Sequence, residues 1–369
     1  MVTGTVLRRH AGGYLVHADD LNAALQCPLR ARLKKEGVSI FTGDRVELDE
    51  VELSESGDRG SAVIAARLER QNLLSRPYIA NVDQVFIVQA THQPEWNGLL
   101  MDRYLVHLQL ELPTARHFIC INKSDLASDE TLLALRNIYE PLDYTVLLVS
   151  AKTGDGMTEL RASLAGRKSV LTGPSGVGKS SLINLLSPGL NLKVDVNEEL
   201  IRGRHTTTYS ELYRLPYDGA GNAPTWIVDT PGFSLGELRH PEPAEVAWQF
   251  PELAALAEEC KYGDCLHLVE QGCNVLENLD KMSEQRYVSY QTIVGESQAE
   301  QRLRSETSQK VESGVVKTVG GGKTGIGKTV PKLSNRYRTA SRRKEKQQVN
   351  NWEPEEDGDL EGDHIDEDS

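Results

Sequence analysis

Gly173-Pro174-Ser175-Gly176-Val177-Gly178-Lys179-Ser180-Ser181 satisfies the phosphate-loop pattern G-x-x-x-x-G-K-[ST] and lies between an apolar strand-like run, Ser169 to Thr172, and an apolar-faced helical segment, Ser180 to Leu186. Strand before and helix after is the context the pattern requires. Its glycines let backbone N–H groups curl round phosphate oxygens, Lys179 brings charge to the β- and γ-phosphates, and the Ser180 hydroxyl is placed to ligate Mg²⁺. Gly322-Lys323-Thr324-Gly325-Ile326-Gly327-Lys328-Thr329 fits the same pattern formally. It is rejected, because Pro331 blocks a following helix and no apolar face comes after it.

Working outward, apolar strands alternate with amphipathic helices from Asn81 onward. Strands are expected at Val82 to Ala90, Phe118 to Ile121, Tyr144 to Val149 and Trp226 to Val228, and helices at Leu99 to Leu112, Thr131 to Tyr139 and Thr158 to Leu164. That grammar predicts a doubly wound, mostly parallel sheet. Asn122-Lys123-Ser124-Asp125 follows the second strand, and Asp125 can accept two hydrogen bonds from the ring N–H and exocyclic amine of guanine, a pair adenine does not offer. Ser150-Ala151-Lys152, after the third strand, resembles the backbone element that meets the guanine carbonyl. Each element alone is weak; together, after strands, they specify guanine.

Two further pieces concern the γ-phosphate. Asp229-Thr230-Pro231-Gly232 ends the strand at Val228, so that Asp229 is expected to hold Mg²⁺ through water and the Gly232 N–H to meet the γ-phosphate. In Arg202-Gly203-Arg204-His205-Thr206-Thr207-Thr208, Thr207 is the expected Mg²⁺ ligand of the triphosphate state; the alternative is that these threonines merely begin the next strand. Phe233 stands where many GTPases carry a water-orienting Gln, which leaves His205 as a catalytic candidate, against a loop-packing or RNA-contacting role. Guanine reader, Ser-Ala-Lys, phosphate loop, threonine loop and Asp-Thr-Pro-Gly thus occur in rotated order. The domain reads as circularly permuted, as closely spaced termini allow.

Cys260-x₄-Cys265-x-His267-x₅-Cys273 offers three thiolates and an imidazole to one tetrahedral ion. Four protein ligands leave no open position, so one structural Zn²⁺ is expected, with a disulfide plus a spare thiol as the alternative. Cys27 and Cys120 read as packing residues. Helices are expected from Ala244 to Glu259 and from Leu276 to about Ile293.

The first 76 residues alternate short apolar stretches with turn signals, as a small OB-like β-barrel does. Its basic residues Arg30, Arg32, Lys34, Lys35, Arg67, Arg70 and Arg76 suit a phosphate backbone, or are simply solvated strand faces. The net charge of −13 is concentrated at the other end: ten carboxylates and no Lys or Arg lie between Glu353 and Asp368. Without that stretch the chain is near neutral, so an RNA partner is not excluded. The expected division is 1–76 barrel, 77–238 permuted GTPase domain, 239–295 zinc-binding, mainly helical domain, and 296–369 disordered tail, basic and then acidic. No signal peptide or apolar run of membrane-spanning length is present, which predicts a soluble cytoplasmic protein without a membrane partner.

Barrel, permuted motif order and cysteine–histidine spacing, over about residues 1–295, together resemble the bacterial family of ribosome small-subunit-dependent GTPases that act in small-subunit biogenesis. The resemblance implies hydrolysis of GTP to GDP and phosphate, late-stage binding to the small ribosomal subunit and its rRNA through barrel and zinc domain, and stimulation by that subunit. A monomer is expected. The tail exceeds what the family needs, and nothing carries over to it. The competing reading is an RNA-binding protein that keeps guanine nucleotide as a structural ligand with negligible turnover; the complete γ-phosphate machinery argues against it.

Overall fold

The computed structural model describes residues 2–55, 59–190, 210–229, 241–313, 316–319 and 328–331. Met1–Ala299 and Glu300–Ser369 are separate compact units.

The chain opens with β1 (Val2–His10), β2 (Gly13–Ala18), β3 (Ala23–Cys27), the short helix α1 (Ala31–Lys35), β4 (Arg45–Leu53) and β5 (Arg59–Arg67). The strands close in the order β1-β2-β3-β5-β4, with β3 and β5 meeting in parallel. Alternation puts Val6, Val16, Leu25, Val46, Leu48 and Ile64 inside, all essentially without solvent contact. This is the barrel expected from the sequence. A two-stranded hairpin, β6 (Leu73–Ser75) and β7 (Tyr78–Ala80), follows it.

The central sheet has β8 (Gln84–Ala90), β9 (Arg116–Asn122), β10 (Thr145–Leu148), β11 (Lys168–Thr172), β12 (Glu211–Asp218) and β13 (Pro224–Asp229), in the spatial order β10-β9-β8-β11-β13-β12. Only β12 runs antiparallel, at an edge. Central β8 is buried along its whole length, as a strand covered on both faces must be. The covering helices are α2 (Gly98–Glu111), α3 (Asp129–Tyr139), α4 (Met157–Leu164) and α5 (Lys179–Leu186). Barrel and sheet meet where the Lys168 ammonium, in β11, donates to Gly43 O at 2.6 Å and the Thr42 hydroxyl donates to Ser210 O at 2.9 Å.

Beyond the sheet lie α6 (Pro243–Val246), α7 (Pro251–Ala257), α8 (Asn274–Glu277) and α9 (Glu284–Ser313). The single helix expected over 244–259 is broken. Phe250 is extended, at φ −108° and ψ 101°, because the following Pro251 excludes it from helical geometry. The second expected helix is likewise split, and α9 runs past 296 to Ser313, supported on its exposed turns by an Arg304–Glu300 pair. In the second unit β14 (Val316–Val319) pairs antiparallel with β15 (Lys328–Pro331), so Lys328 and Thr329 stand in a strand and not at a helix start. Gly322 to Gly327 and the charged blocks beyond lie outside the described residues. No helix among the described residues is long and apolar enough to cross a membrane.

Candidate guanine-nucleotide site and metal centre

The phosphate loop leaves the carboxyl end of β11 and enters α5, which Gly178 precedes as N-cap. Two of its glycines are obligatory. A Cβ on Gly173 (φ +138°) would sit 2.0 Å from Val88 O, and one on Gly178 (φ +94°) would sit 2.4 Å from Asn122 Nδ2. Lys179 Nζ donates to Gly173 O and Pro174 O at 2.8 Å each, so its ammonium is folded over the mouth of the loop. Pro174, Ser175, Gly176 and Val177 form the turn, and Ser180 and Ser181 follow Lys179 in the first turn of the helix.

Strand order explains how the other motifs reach this loop. Beside β11 lies β8, then β9, then β10, so Asn122–Asp125 and Ser150–Lys152 leave the carboxyl edge two and three strands away. Asn122 joins all three elements. Buried to 1 % exposure, it donates Nδ2 to Val177 O at 2.7 Å, and its Oδ1 accepts the Ala151 N–H at 3.1 Å. Lys123, left-handed at φ 58°, donates Nζ to Gly176 O at 3.0 Å and to Gln93 O. The Ser124 N–H is held by Val149 O at 3.1 Å. The Ser150 hydroxyl donates to Asp125 Oδ1 at 2.7 Å and accepts the N–H groups of Lys152 and Thr153. A cavity of about 320 Å³ opens between Asn122, Lys123, Asp125, Lys152, Gly178 and Ser181.

The sequence did not disclose Thr91 and Gln93. The Thr91 N–H and hydroxyl hold Asn122 O (3.1 Å) and Lys123 O (2.7 Å), which ties the backbone after β9 to the end of β8. Their position just past β8 was the available signal. His205, Thr207 and Gly232 lie outside the described residues; Asp229 closes β13 in register with Leu171, and its side chain is outside them.

In the metal centre, Cys260 Sγ lies 3.5 Å from His267 Nδ1 and 3.9 Å from Cys273 Sγ, and His267 Nδ1 lies 3.3 Å from Cys273 Sγ. With Cys265, the four donor atoms lie within 4.8 Å of one another. Tetrahedral zinc with Zn–S of about 2.3 Å and Zn–N of about 2.0 Å has edges of roughly 3.5–3.8 Å. The donor set fits one zinc, which would tie the loop to its helices and supply no open coordination position. Glu270, which sequence reasoning also missed, accepts the N–H groups of Leu266, Leu268 and Val269 at 2.8, 2.8 and 2.9 Å. From α9, Tyr290 and Tyr287 donate their hydroxyls to Leu266 O and His267 O. Elsewhere, burial pushes the thiols of Cys27 and Cys120 up to about 12.

Strand order, loops gathered at one carboxyl edge and the rotated motif order define a circularly permuted guanine-nucleotide-binding protein that carries a barrel and a Cys₃His unit. A family model described as RsgA GTPase matches residues 67–239. A relative named small ribosomal subunit biogenesis GTPase RsgA, from Moorella thermoacetica, is 40 % identical over 302 residues, which are 81 % of this chain and 98 % of the relative. One of that name from Thermotoga maritima is 38 % identical, over 78 % of this chain and 94 % of its own. Among solved structures, YjeQ from Thermotoga maritima superposes with a TM-score of 0.67 at 33 % identity, over 80 % of this chain and 98 % of its own. The structure of YloQ, described as a circularly permuted GTPase, gives 0.63 at 29 % identity over 81 % and 96 %. The chain belongs to the RsgA GTPase family and is a GTP-hydrolysing enzyme.

Proposed function

We propose that this enzyme binds the small ribosomal subunit late in its assembly, contacts rRNA through the barrel and the zinc-bearing unit, and couples GTP hydrolysis to its own release in the cytoplasm. The observation that carries the reading is the joint at Asn122, which makes guanine reader and phosphate loop one rigid element in a chain that also holds a Cys₃His centre. The names of the relatives support the ribosomal partner.

In this reading Asp125 selects guanine, Ala151 and Lys152 offer N–H groups to its carbonyl, and Lys179 exchanges the carbonyls of Gly173 and Pro174 for phosphate oxygens. Mg²⁺, entering with GTP, would be held by Ser180, Asp229 and Thr207 and would neutralise the triphosphate. His205 orients the attacking water, because Phe233 cannot. The test is single-turnover GTP hydrolysis with and without purified small subunits. Stimulation by the subunits, abolished in His205→Ala, is expected. No stimulation across a range of salt would overturn the ribosomal reading, and a His205→Ala rate equal to wild type would remove His205 from the mechanism.

A further inference from the structure

Phe41, in the turn before β4, and Tyr78, at the start of β7, stack with ring centroids 4.5 Å apart and 12° between planes. Their backbones are fixed independently of that contact. The Ala80 N–H donates to Thr42 O at 2.8 Å, and Asn81 Nδ2 to Gly43 O at 3.1 Å. Ser75, the partner of Tyr78 across the hairpin, gives both its N–H and its hydroxyl to Glu111 of α2. Yet Tyr78 remains 53 % exposed, so the rigid stack presents an open aromatic surface.

Arginines surround it unequally. Arg70 lies 4.6 Å from the Phe41 centroid, but its guanidinium is taken up by the buried carboxylate of Asp44, at 2.6 and 2.8 Å. Arg30 and Arg32 are likewise paired, with Asp49 and Glu36. Arg67 reaches the same carbonyl as Arg70, Ser39 O, at 3.0 Å, and Arg76 occupies the turn of the hairpin two residues before Tyr78. Both are exposed, and among the described residues neither enters an ion pair.

We propose that Tyr78 is a stacking platform for an unpaired nucleobase of RNA, with Arg67 and Arg76 on the flanking phosphates. An aromatic face beside unneutralised guanidiniums is what single-stranded RNA recognition uses, and a ring already held in place loses little freedom on binding. The platform deepens the RNA-binding part of the function proposed above and rests on it.

The test compares wild type, Tyr78→Phe, Tyr78→Ala and Arg76→Glu for binding of a short single-stranded RNA carrying 2-aminopurine and, separately, of purified small subunits. GDP affinity serves as the check on folding. Tyr78→Ala is expected to weaken oligonucleotide binding by roughly tenfold and to abolish the stacking quench, while Tyr78→Phe retains both. Arg76→Glu, which leaves the ring stack untouched, is expected to weaken binding and lower the salt slope by about one. Wild-type affinity and quench in Tyr78→Ala would overturn the platform. Should Tyr78→Ala lose GDP binding, the decision passes to Arg76→Glu, whose wild-type affinity and salt slope would overturn it. If wild type binds subunits and Tyr78→Ala binds them as tightly with the quench intact, only the platform falls. If the oligonucleotide distinguishes the variants while wild type ignores subunits, only the ribosomal reading falls. A wild type that binds neither overturns both.

Discussion

Asn122 has no room to be anything else: it is buried, and its amide satisfies one acceptor on the phosphate loop and one donor on Ser150–Lys152. Next to it, Asp125 is oriented by the Ser150 hydroxyl, whose own oxygen is fixed by two N–H groups. In the proposed function, that preorganisation leaves the carboxylate already aimed when the base arrives. Replacing it by alanine removes two charge-assisted hydrogen bonds to guanine and none to adenine, a loss of about 1–3 kcal/mol. Side-by-side titrations of Asp125→Ala with GTP and ATP are therefore expected to show GTP weakened by roughly 5- to 150-fold and ATP unchanged. A preference kept intact would assign base reading elsewhere. That these segments follow strands was legible in the sequence, because each motif comes straight after an apolar run, and the strand order gathers them at one edge. Thr91 and Gln93 were not, because they act through backbone atoms and through a strand adjacency that local sequence does not encode.

Elements were legible where one physical rule dominated. Buried parallel strands read as apolar runs, and all five of that kind lie where the runs predicted. The helix over 244–259 was misread because apolar periodicity continues through Pro251 while the backbone cannot. The Cys₃His loop shows the reverse: its four clustered donors were legible, its scaffold was not. His267 is held left-handed at φ 54°, in a turn organised by the Glu270 carboxylate. Burial alone would push that carboxyl up, but the N–H groups of Val269, Leu266 and Leu268 outweigh it and hold the group down at about 2. A depressed carboxyl stabilises the fold above its ordinary pKa of 4.5, and that contribution is lost as pH falls toward 2. Glu270→Gln is thus expected to cost about 1–2 kcal/mol at pH 7. The difference from wild type, read from paired urea unfolding curves, should shrink steadily below pH 4.5. A difference that does not change with pH would show that Glu270 acts by shape alone.

At the scale of the whole molecule, the Cys₃His unit is joined to the nucleotide-binding sheet through one buried cation. Arg286 of α9 is 1 % exposed; it meets Asp102 of α2 at 2.5 Å and Glu252 of α7 at 3.2 Å, with its guanidinium 4.7 Å from the Phe250 ring centroid and 5.4 Å from that of Tyr139. Apolar burial of Val106 from α2 with Val246, Phe250 and Tyr290 completes the junction. Two carboxylates share one guanidinium, and burial pushes the Asp102 carboxyl up to about 6 despite Arg286 beside it. A raised carboxyl contributes stability that is fully present below the ordinary value of 3.8 and is lost as pH rises through 6. Relative to Asp102→Asn, wild type is therefore expected to lose stability between pH 4 and 7. Arg286→Met is the severe change, because it strands both acids in the interior at a cost of about 3–5 kcal/mol, whereas Asp102→Asn leaves Arg286 with Glu252 and costs far less. Urea unfolding of the three proteins at pH 5 and pH 8 tests this ordering, and equal losses in the two variants would contradict it. Because none of the hydrogen bonds that hold Asn122 and Asp125 comes from α2, α7 or α9, Arg286→Met should keep its affinity for GDP while losing the stimulation by small subunits that the proposed function requires. Full stimulation in that variant would mean that the partner acts on the nucleotide site without passing through α2 and α9.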